Sequence, residues 1–594
     1  MENMMCLYPK TMDIAEFNQG YNEIKSHINN EKIEILEKYK DYPYIFKDNN
    51  GKNVKTQASI YDVVRLYVAL DYIISGKENK KFDRIKSYKQ FFTEEKTKLK
   101  SFIHAYLKGE KEEDFKEIEI DLVKGSIYKI KKYFLENDKI KDIRGGSVLI
   151  DYLNIQVTDN IIQNHLIDEC KIYSGGGNIV LITPKDKGEH ICEILENRYF
   201  EIALTVQNAF EFIPTNINTF LYDFNEISRE LTIKLEERKK SKIYQINPDS
   251  EVEITINNKT IHFSKDEKVQ SNEICPLCQV RDGKYIINTA EGEIVACPSC
   301  FRKNKAGKDK SRFMQEYQNI TGGEVKKSIK VIEDLKDKNN NIAVIYGDGN
   351  NMGNVVKNID TPFKMAYFSR KTDEITKSCV YNAIKKNMQG KARFEVIALG
   401  GDDIFIIVPA DYSLEISRDI VTEFDKKFNY EITMSVGICI GKFNTPIRNM
   451  FSIAQKKLKS AKQYVKSKKL NKGSIDIEVL KGVGLIDWNN KRKSFFPASA
   501  EEVSRFISIL KEMKNNSKIK PSQIYKFRYA AEKMEKEEFK LFYLYQQSRI
   551  GNEYSKYMKK LYNFKDINEL LENIDDFPWK DITDLFDLIR GDFD

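Results

Sequence analysis

The sequence predicts an α+β protein of several domains, and three observations carry that expectation. Strand-like alternation and helical periodicity follow one another in a strand, helix, helix, hairpin order that occurs twice. A cysteine-bearing segment at 275–300 separates the two occurrences, and helical sequence flanks them. At 594 residues the chain is also too long for one core and should divide into roughly three to five domains.

Composition narrows the class. Hydrophobic residues at 41% and aromatics at 11% support packed cores, and 31% charged residues support a soluble surface. Lys and Arg exceed Asp and Glu by 97 to 89, and a net charge of +8 is too mild at this length to announce nucleic-acid binding. No apolar run reaches the ~18 residues that span a bilayer, and the opening "MENMMCLYPKTMDIAEF" lacks the basic-then-apolar layout of a signal peptide. The expectation is a cytoplasmic protein with no membrane partner. Nine cysteines, four of them in two CxxC pairs, favour reduced thiols and a metal over a disulfide scaffold.

Taken in order, residues 1–115 read mainly as helix, as in "SIYDVVRLYVALDYIISG", where apolar spacing of three to four ends at Gly76. They contain no His-Asp dipeptide, and the five histidines are scattered without ligand spacing. The span 116–270 opens with the strand-like "FKEIEIDLV". A helix over "KGSIYKIKKYFLEND", another beginning after the glycine pair of "RGGSVLIDYLN", and a hairpin in "CKIYSGGGNIVLITP" follow. After the cysteine and basic segment at 271–324, the span 325–498 repeats the order. "NNIAVIYGDGNNMGNVV" is a strand entering a glycine turn, "TDEITKSCVYNAIKKNM" a helix, and "RFEVIALGGDDIFIIVP" a hairpin. "YEITMSVGICIG" adds a strand and "IRNMFSIAQKKLKSAKQYVKSK" a helix. Residues 499–594 return to helix, and Ser499 with Glu501 and Glu502 marks its start.

The chemistry concentrates in the second repeat. Asp402 and Asp403 stand between Gly400-Gly401 and an apolar strand, and burying two like charges is costly unless a cation or hydrogen bonds compensate. Asp348, in "YGDGNNMG", ends a strand beside a glycine turn and can face the same hairpin. Three such carboxylates supply the hard oxygen ligands by which Mg²⁺ or Mn²⁺ holds a nucleotide triphosphate. Glycine leaves room for phosphate to approach. Taken singly, each motif is also an ordinary turn, since Asp and Gly are common turn residues.

"GDGNNMG" together with "ALGGDD" resembles the catalytic palm of the large, polymerase-like subunit of type III CRISPR effector complexes, the Csm/Cmr family related to GGDEF and nucleotidyl cyclases. The resemblance extends over about 116–594. It implies two ferredoxin-like palms, a non-acidic one at 116–270 and a catalytic one at 325–498, with a zinc finger between them and helical domains at 1–115 and 499–594. It also implies metal-dependent polymerisation of ATP into a cyclic oligoadenylate second messenger, switched on by target RNA in a complex with CRISPR RNA and other Csm/Cmr-type subunits. Asp348, Asp402 and Asp403 match the metal-binding acids, and Gly349, Gly400 and Gly401 the glycines near the triphosphate. Lys462, then Lys459, match the lysine that reaches the γ-phosphate. Ser174, Gly175, Gly176 and Gly177 match the segment that cradles the acceptor nucleotide. Asn350 stands where a second acid is common, and without a His-Asp dipeptide DNA cleavage is not expected.

Some relatives join AMP to S-adenosylmethionine instead. In that case Asp121, at the end of "EIEID", could meet the ammonium group, although a capping role is as ready a reading. Two other classes stay open: a structural scaffold with an inactive palm, and a stand-alone diguanylate cyclase, to which the duplicated palm and the cysteine insert are foreign.

Cys275, Cys278, Cys297 and Cys300 have C-x2-C-x18-C-x2-C spacing, which suits a tetrahedral structural Zn²⁺ with no open position for catalysis. Cys6, Cys170, Cys192, Cys379 and Cys439 read as ordinary thiols. The basic "FRKNKAGKDKSRF" that follows is either an RNA or subunit contact or a solvated loop.

Overall fold

The computed structural model describes residues 9, 11–30, 33–76, 82–242, 251–256, 259–264, 267–289, 292–308, 311–325, 329, 331–388, 390, 392–480, 494–551, 553–562 and 564–590. Cys6 lies outside them. The chain divides into two compact units, Met1–Arg312 with Asn351–Ile375, and Phe313–Asn350 with Thr376–Asp594. No helix among the described residues is long and apolar enough to cross a membrane.

The first unit opens with helix Ile14–Asn29 and then adds a hairpin to the mainly helical expectation. β1 (Pro43–Lys47) and β2 (Asn53–Ser59) pair antiparallel. Asp48 closes their turn by accepting from the backbone N–H of Asn50 and Lys52 at 2.9 Å, while Gly51 takes φ +75°. Ser59 then caps helix Ile60–Ser75, which stops at Gly76 as the sequence predicts.

A four-stranded antiparallel sheet follows, built of β3 (Glu119–Tyr128), β4 (Lys171–Gly175), β5 (Asn178–Pro184) and β6 (Gln207–Asn216) in the order β4-β5-β3-β6. Helices Gly188–Ala203 and Phe224–Ser241 pack on β6 and β3. Two local expectations fail here. Residues 124–128, read as the start of a helix, extend β3, because ladders to β5 and β6 on both sides outweigh local propensity. The strand ends at Lys129 (φ 54°), leaving only a short helix, Ile130–Phe134. Gly145 and Gly146 lie inside helix Ile140–Tyr152 instead of preceding it.

Those glycines serve a close crossing. Beyond two hairpins, β7 (Val252–Ile256) with β8 (Lys259–Phe263) and β9 (Tyr285–Thr289) with β10 (Gly292–Ala296), helix Pro298–Ala306 packs against Ile140–Tyr152. A Cβ at Gly145 would lie 1.7 Å from Lys303 O, and one at Gly307 1.9 Å from Lys141 O, so only glycine fits.

The second unit carries a six-stranded sheet: β11 (Asn341–Gly349), β12 (Glu395–Gly400), β13 (Asp403–Pro409), β14 (Met434–Lys442), β15 (Ser474–Val479) and β16 (Ala498–Ser499). Their order is β12-β13-β11-β14-β15-β16, with only β14 and β15 parallel. Helix Ile447–Lys468 lies on β14, β15 and β11. A Cβ at Gly437 would meet Ala454 O at 2.1 Å and Leu458 N at 2.3 Å, so the helix backbone touches the sheet there. Ser499 and Glu502 form a capping box that starts helix Ala500–Asn515.

The duplication read from the sequence extends to strand register. The hairpin closes at Gly175 opposite Asn178 in one sheet and Gly400 opposite Asp403 in the other. Both edge strands shift register at the same place, between Lys171 and Tyr173 and between Val396 and Ala398. On the central strands Gly125 faces Ile179 as Gly347 faces Ile404. By this register Ser126, Gly177 and Asn178 take the positions of Asp348, Asp402 and Asp403.

Candidate nucleotide and metal sites

The acids of the second unit gather where β11 ends beside the β12–β13 hairpin. Gly401 takes φ +58°, as the first position of a two-residue turn with a single left-handed residue requires, and a Cβ there would meet nothing within 4 Å. That open space lies beside three carboxylates. Burial, followed by the charges of Asp348 and Asp403, pushes the Asp402 carboxyl up to about 7, and Asp402 is hydrogen-bonded to Asp348. Tyr346, two residues before Asp348 on the same face of β11, donates from its hydroxyl to Asp403 Oδ1 at 3.2 Å. Burial, with Asp403 and Asp348 beside it, raises the phenol far above its usual range, so it stays a donor.

The two lysines matched to the γ-phosphate separate. Lys462 Nζ pairs with Asp348 Oδ2 and donates to Gly349 O at 2.8 Å. Lys459, one turn earlier, is exposed. Asn350 is turned to structure: its N–H donates to Thr433 O at 2.7 Å and its Nδ2 to Thr433 Oγ1 at 2.8 Å. The carboxylates are not drawn in as tightly as metal ligands. Among the described residues the set whose ligand atoms converge within 4.8 Å of one another is Cys275, Cys278, Cys297 and Cys300.

Those four cysteines are buried, and their convergence on paired knuckles fits Zn²⁺ with no open position. The residues around them hold the knuckle to the first sheet's helices. Lys303, fully buried, donates to Glu136 Oε2 at 2.8 Å, and Asn304 Nδ2 to Asp142 Oδ1 at 2.7 Å. Arg302 donates to Ile202 O at 3.1 Å. The basic run is therefore partly interior: Arg302 and Lys303 are spent on packing and are closed to RNA, while Asp309 and Lys310 lie outside the described residues.

In the first unit the acceptor segment splits. Gly176 and Gly177 take φ +58° and +83°, the turn itself, whereas Ser174 donates to Asn154 O at 3.1 Å and lines a cavity of about 210 Å³. Tyr61, Arg65, Lys171 and Arg370 line the same cavity. A Cβ at Gly177 would press Ile130 Cδ1 at 2.6 Å and Ile127 O at 3.1 Å, and with φ at +83° an acid in this turn would be strained.

Of the two readings of Asp121, the hydrogen bonding favours the capping one. It sits near the start of β3, opposite Thr183, five register steps or about 17 Å from the hairpin end at Ser126 and Asn178. Its buried carboxylate accepts from Gly188 N at 2.9 Å, at the first turn of helix Gly188–Ala203. The capping role holds, and a ligand ammonium finds no place there.

Sequence reasoning missed Tyr346, which the strand period places on the face of Asp348. It also missed Lys124 on β3 and Lys239 on helix Phe224–Ser241, at the places of Tyr346 and Lys462, which the repeat offset could have revealed.

Against known families, residues 341–471 match the Cas10/Cmr2 second palm domain and residues 117–255 match domain B of the Csm1 subunit. The chain thus carries two domains of the Cas10/Csm1 family. Its structure resembles Csm1 in T. onnurineus, at 14% identity and TM-score 0.57, covering 97% of this chain and 80% of that one. Two Csm1-Csm4 cassettes are similar: one in complex with AMPPNP (14% identity, TM-score 0.55, 96% of this chain and 80% of that one) and one in complex with cA3 (15%, 0.54, 96% and 81%). No curated protein matches the sequence. The Cas10/Csm1 assignment agrees with the α+β, two-palm reading of the sequence, and with the four-cysteine cluster between the palms.

Proposed function

We propose that this Cas10/Csm1 chain is the nucleotide-synthesising subunit of a type III CRISPR effector complex, joining ATP into cyclic oligoadenylate with release of pyrophosphate when target RNA binds. One observation carries the reading: three carboxylates and Lys462 surround an open glycine turn on the sheet that matches the Cas10/Cmr2 second palm. Solved relatives bound to AMPPNP and cA3 support it by analogy. A divalent ion held by Asp348, Asp402 and Asp403 would supply activation of the attacking hydroxyl and neutralisation of the leaving pyrophosphate. The chain's own part is to position. Gly401 admits the phosphates, Lys462 offers an ammonium to the terminal phosphate in exchange for Asp348, and Tyr346 fixes Asp403.

Partners on this reading are Csm-type subunits, CRISPR RNA and target RNA, with ATP as substrate and zinc as a structural ion. The S-adenosylmethionine conjugate loses the support that Asp121 would have lent it. Labelled ATP is incubated with the RNA-activated complex, with and without S-adenosylmethionine. The expected product is cyclic oligoadenylate in both arms, absent in the Asp402→Ala, Asp403→Ala double variant. Undiminished product from an intact double-variant complex would leave the chain a scaffold, and a new product with S-adenosylmethionine would establish the conjugate.

A further inference from the structure

The register that superposes the two sheets also superposes the helices after them. Phe224, Ile227, Leu231 and Leu235 are buried along helix Phe224–Ser241 at the spacing of Ile447, Met450, Ala454 and Leu458 along helix Ile447–Lys468. Carried on from there, Lys239 falls at the place of Lys462. Side-chain geometry agrees. Lys462 reaches the end of β11; Lys239 Nζ lies 5.6 Å from the ring of Tyr128, the last residue of β3, whose hydroxyl donates to Lys239 O at 3.3 Å.

What differs is the sign of the charge. On the face where β11 carries Tyr346 and Asp348, β3 carries Lys124 and Ser126, and the turn has Gly177 and Asn178 in place of Asp402 and Asp403. Lys124 Nζ donates to Thr232 Oγ1 at 2.7 Å and stands near enough to Lys239 that burial, then this second ammonium, lower its own proton affinity. Lys129 Nζ lies 5.8 Å from the Tyr128 ring. The carboxylate on Lys239 is that of Glu236, at 2.7 Å; Glu236 is 55% exposed and Lys239 16%, so the carboxylate can swing into solvent and leave the half-buried ammonium to a polyphosphate.

We propose that the first palm is a charge-inverted copy of the second, in which Lys239, with Lys124 behind it, binds a phosphate chain directly and without a metal ion. Resting on the nucleotide-synthesising reading, this chain is the triphosphate of the acceptor ATP. Lys239 repeats Lys462 while Lys124 replaces Tyr346, so this palm keeps the phosphate-facing ammonium, adds a second one behind it, and has Ser126, Gly177 and Asn178 where the other has its three acids.

The test uses the full-length protein and a fluorescent non-hydrolysable ATP analogue, titrated in Mg²⁺ and in EDTA, in the Asp402→Ala, Asp403→Ala background. The expected result is binding that survives EDTA, weakens about 10- to 100-fold in Lys239→Glu and Lys239→Gln, and recovers in Lys239→Arg, with zinc content and unfolding midpoint unchanged. Sodium tripolyphosphate should displace the analogue. Displacement by single-stranded RNA alone would assign the site to an RNA backbone and overturn the nucleotide claim. No EDTA-resistant binding, or binding indifferent to Lys239, would overturn the site itself. Failure of the synthase reading shows differently, as absent product from a wild-type complex whose EDTA-resistant titration is intact.

Discussion

Gly437 sets where Lys462 stands, and replacing it by alanine should move the lysine without touching the site. A Cβ at Gly437 would lie 2.1 Å from Ala454 O, where ordinary contact starts at 3.4 Å, so helix Ile447–Lys468 must retreat by about 1.3 Å in a close-packed interior. Both groups it would strike, Ala454 O and Leu458 N, are backbone and cannot swing aside. Overpacking of this kind costs about 1–3 kcal/mol. In a unit of this size that lowers the unfolding midpoint by roughly 2–12 °C. Lys462 follows Leu458 by one helical turn, so its ammonium should leave Asp348 and Gly349 O by about 1 Å, and such a misplacement can slow turnover on the order of 100-fold. Calorimetry and product formation from ATP by the assembled complex measure the two effects. Lys462→Met, which removes the charge itself, should cost about 10- to 150-fold in rate while leaving the fold alone. Gly441→Ala on the same strand is the control, since its Cβ meets only side-chain atoms at 3.4 Å. A Gly437→Ala protein with wild-type midpoint and rate would refute the positioning argument.

Two further outcomes are expected. Cys300→Ser, or chelation of zinc, should free helix Pro298–Ala306 from Ile140–Tyr152 and lower the midpoint of the first unit's transition, with zinc content followed by atomic absorption; an unchanged midpoint after metal loss would mean that packing alone holds the crossing. Asp425 accepts from Met434 N at 2.9 Å and Gly473 N at 2.6 Å, and burial pushes its carboxyl up to about 7. Because the folded state then binds a proton that the unfolded chain gives up near 4, this group's contribution to stability falls as pH rises from about 4 to about 7. Asp425→Asn loses one acceptor, costing about 1–3 kcal/mol at low pH, and the gap to wild type should narrow toward pH 7 in pH-resolved denaturant unfolding.

Much of the site was legible because its signals are local. Asp402 and Asp403 are adjacent, Asp348 sits beside its own glycine turn, and the cysteine pairs carry their spacing with them. Residues whose roles depend on a distant partner were not legible. Asp121 reads as a strand-end acid until Gly188 N is seen on it, and Arg302 and Lys303 read as part of an RNA or subunit contact or a solvated loop until Ile202 O and Glu136 are found beneath them.

The sequence by itself determined the repeat, the acids of one copy and the absence of acids in the other, the four thiolates, and the helices at 60–75, 447–468 and 500–515. Each of these is written in residue type and short-range period. Tertiary structure alone decided that β3 runs through Tyr128, that Gly145 and Gly146 lie within a helix, that Lys462 rather than Lys459 reaches Asp348, and that Lys124 and Lys239 stand where the other palm holds Tyr346 and Lys462. Those outcomes turn on ladders, close backbone approaches and charge neighbours between residues far apart in the chain. No local pattern encodes such distances.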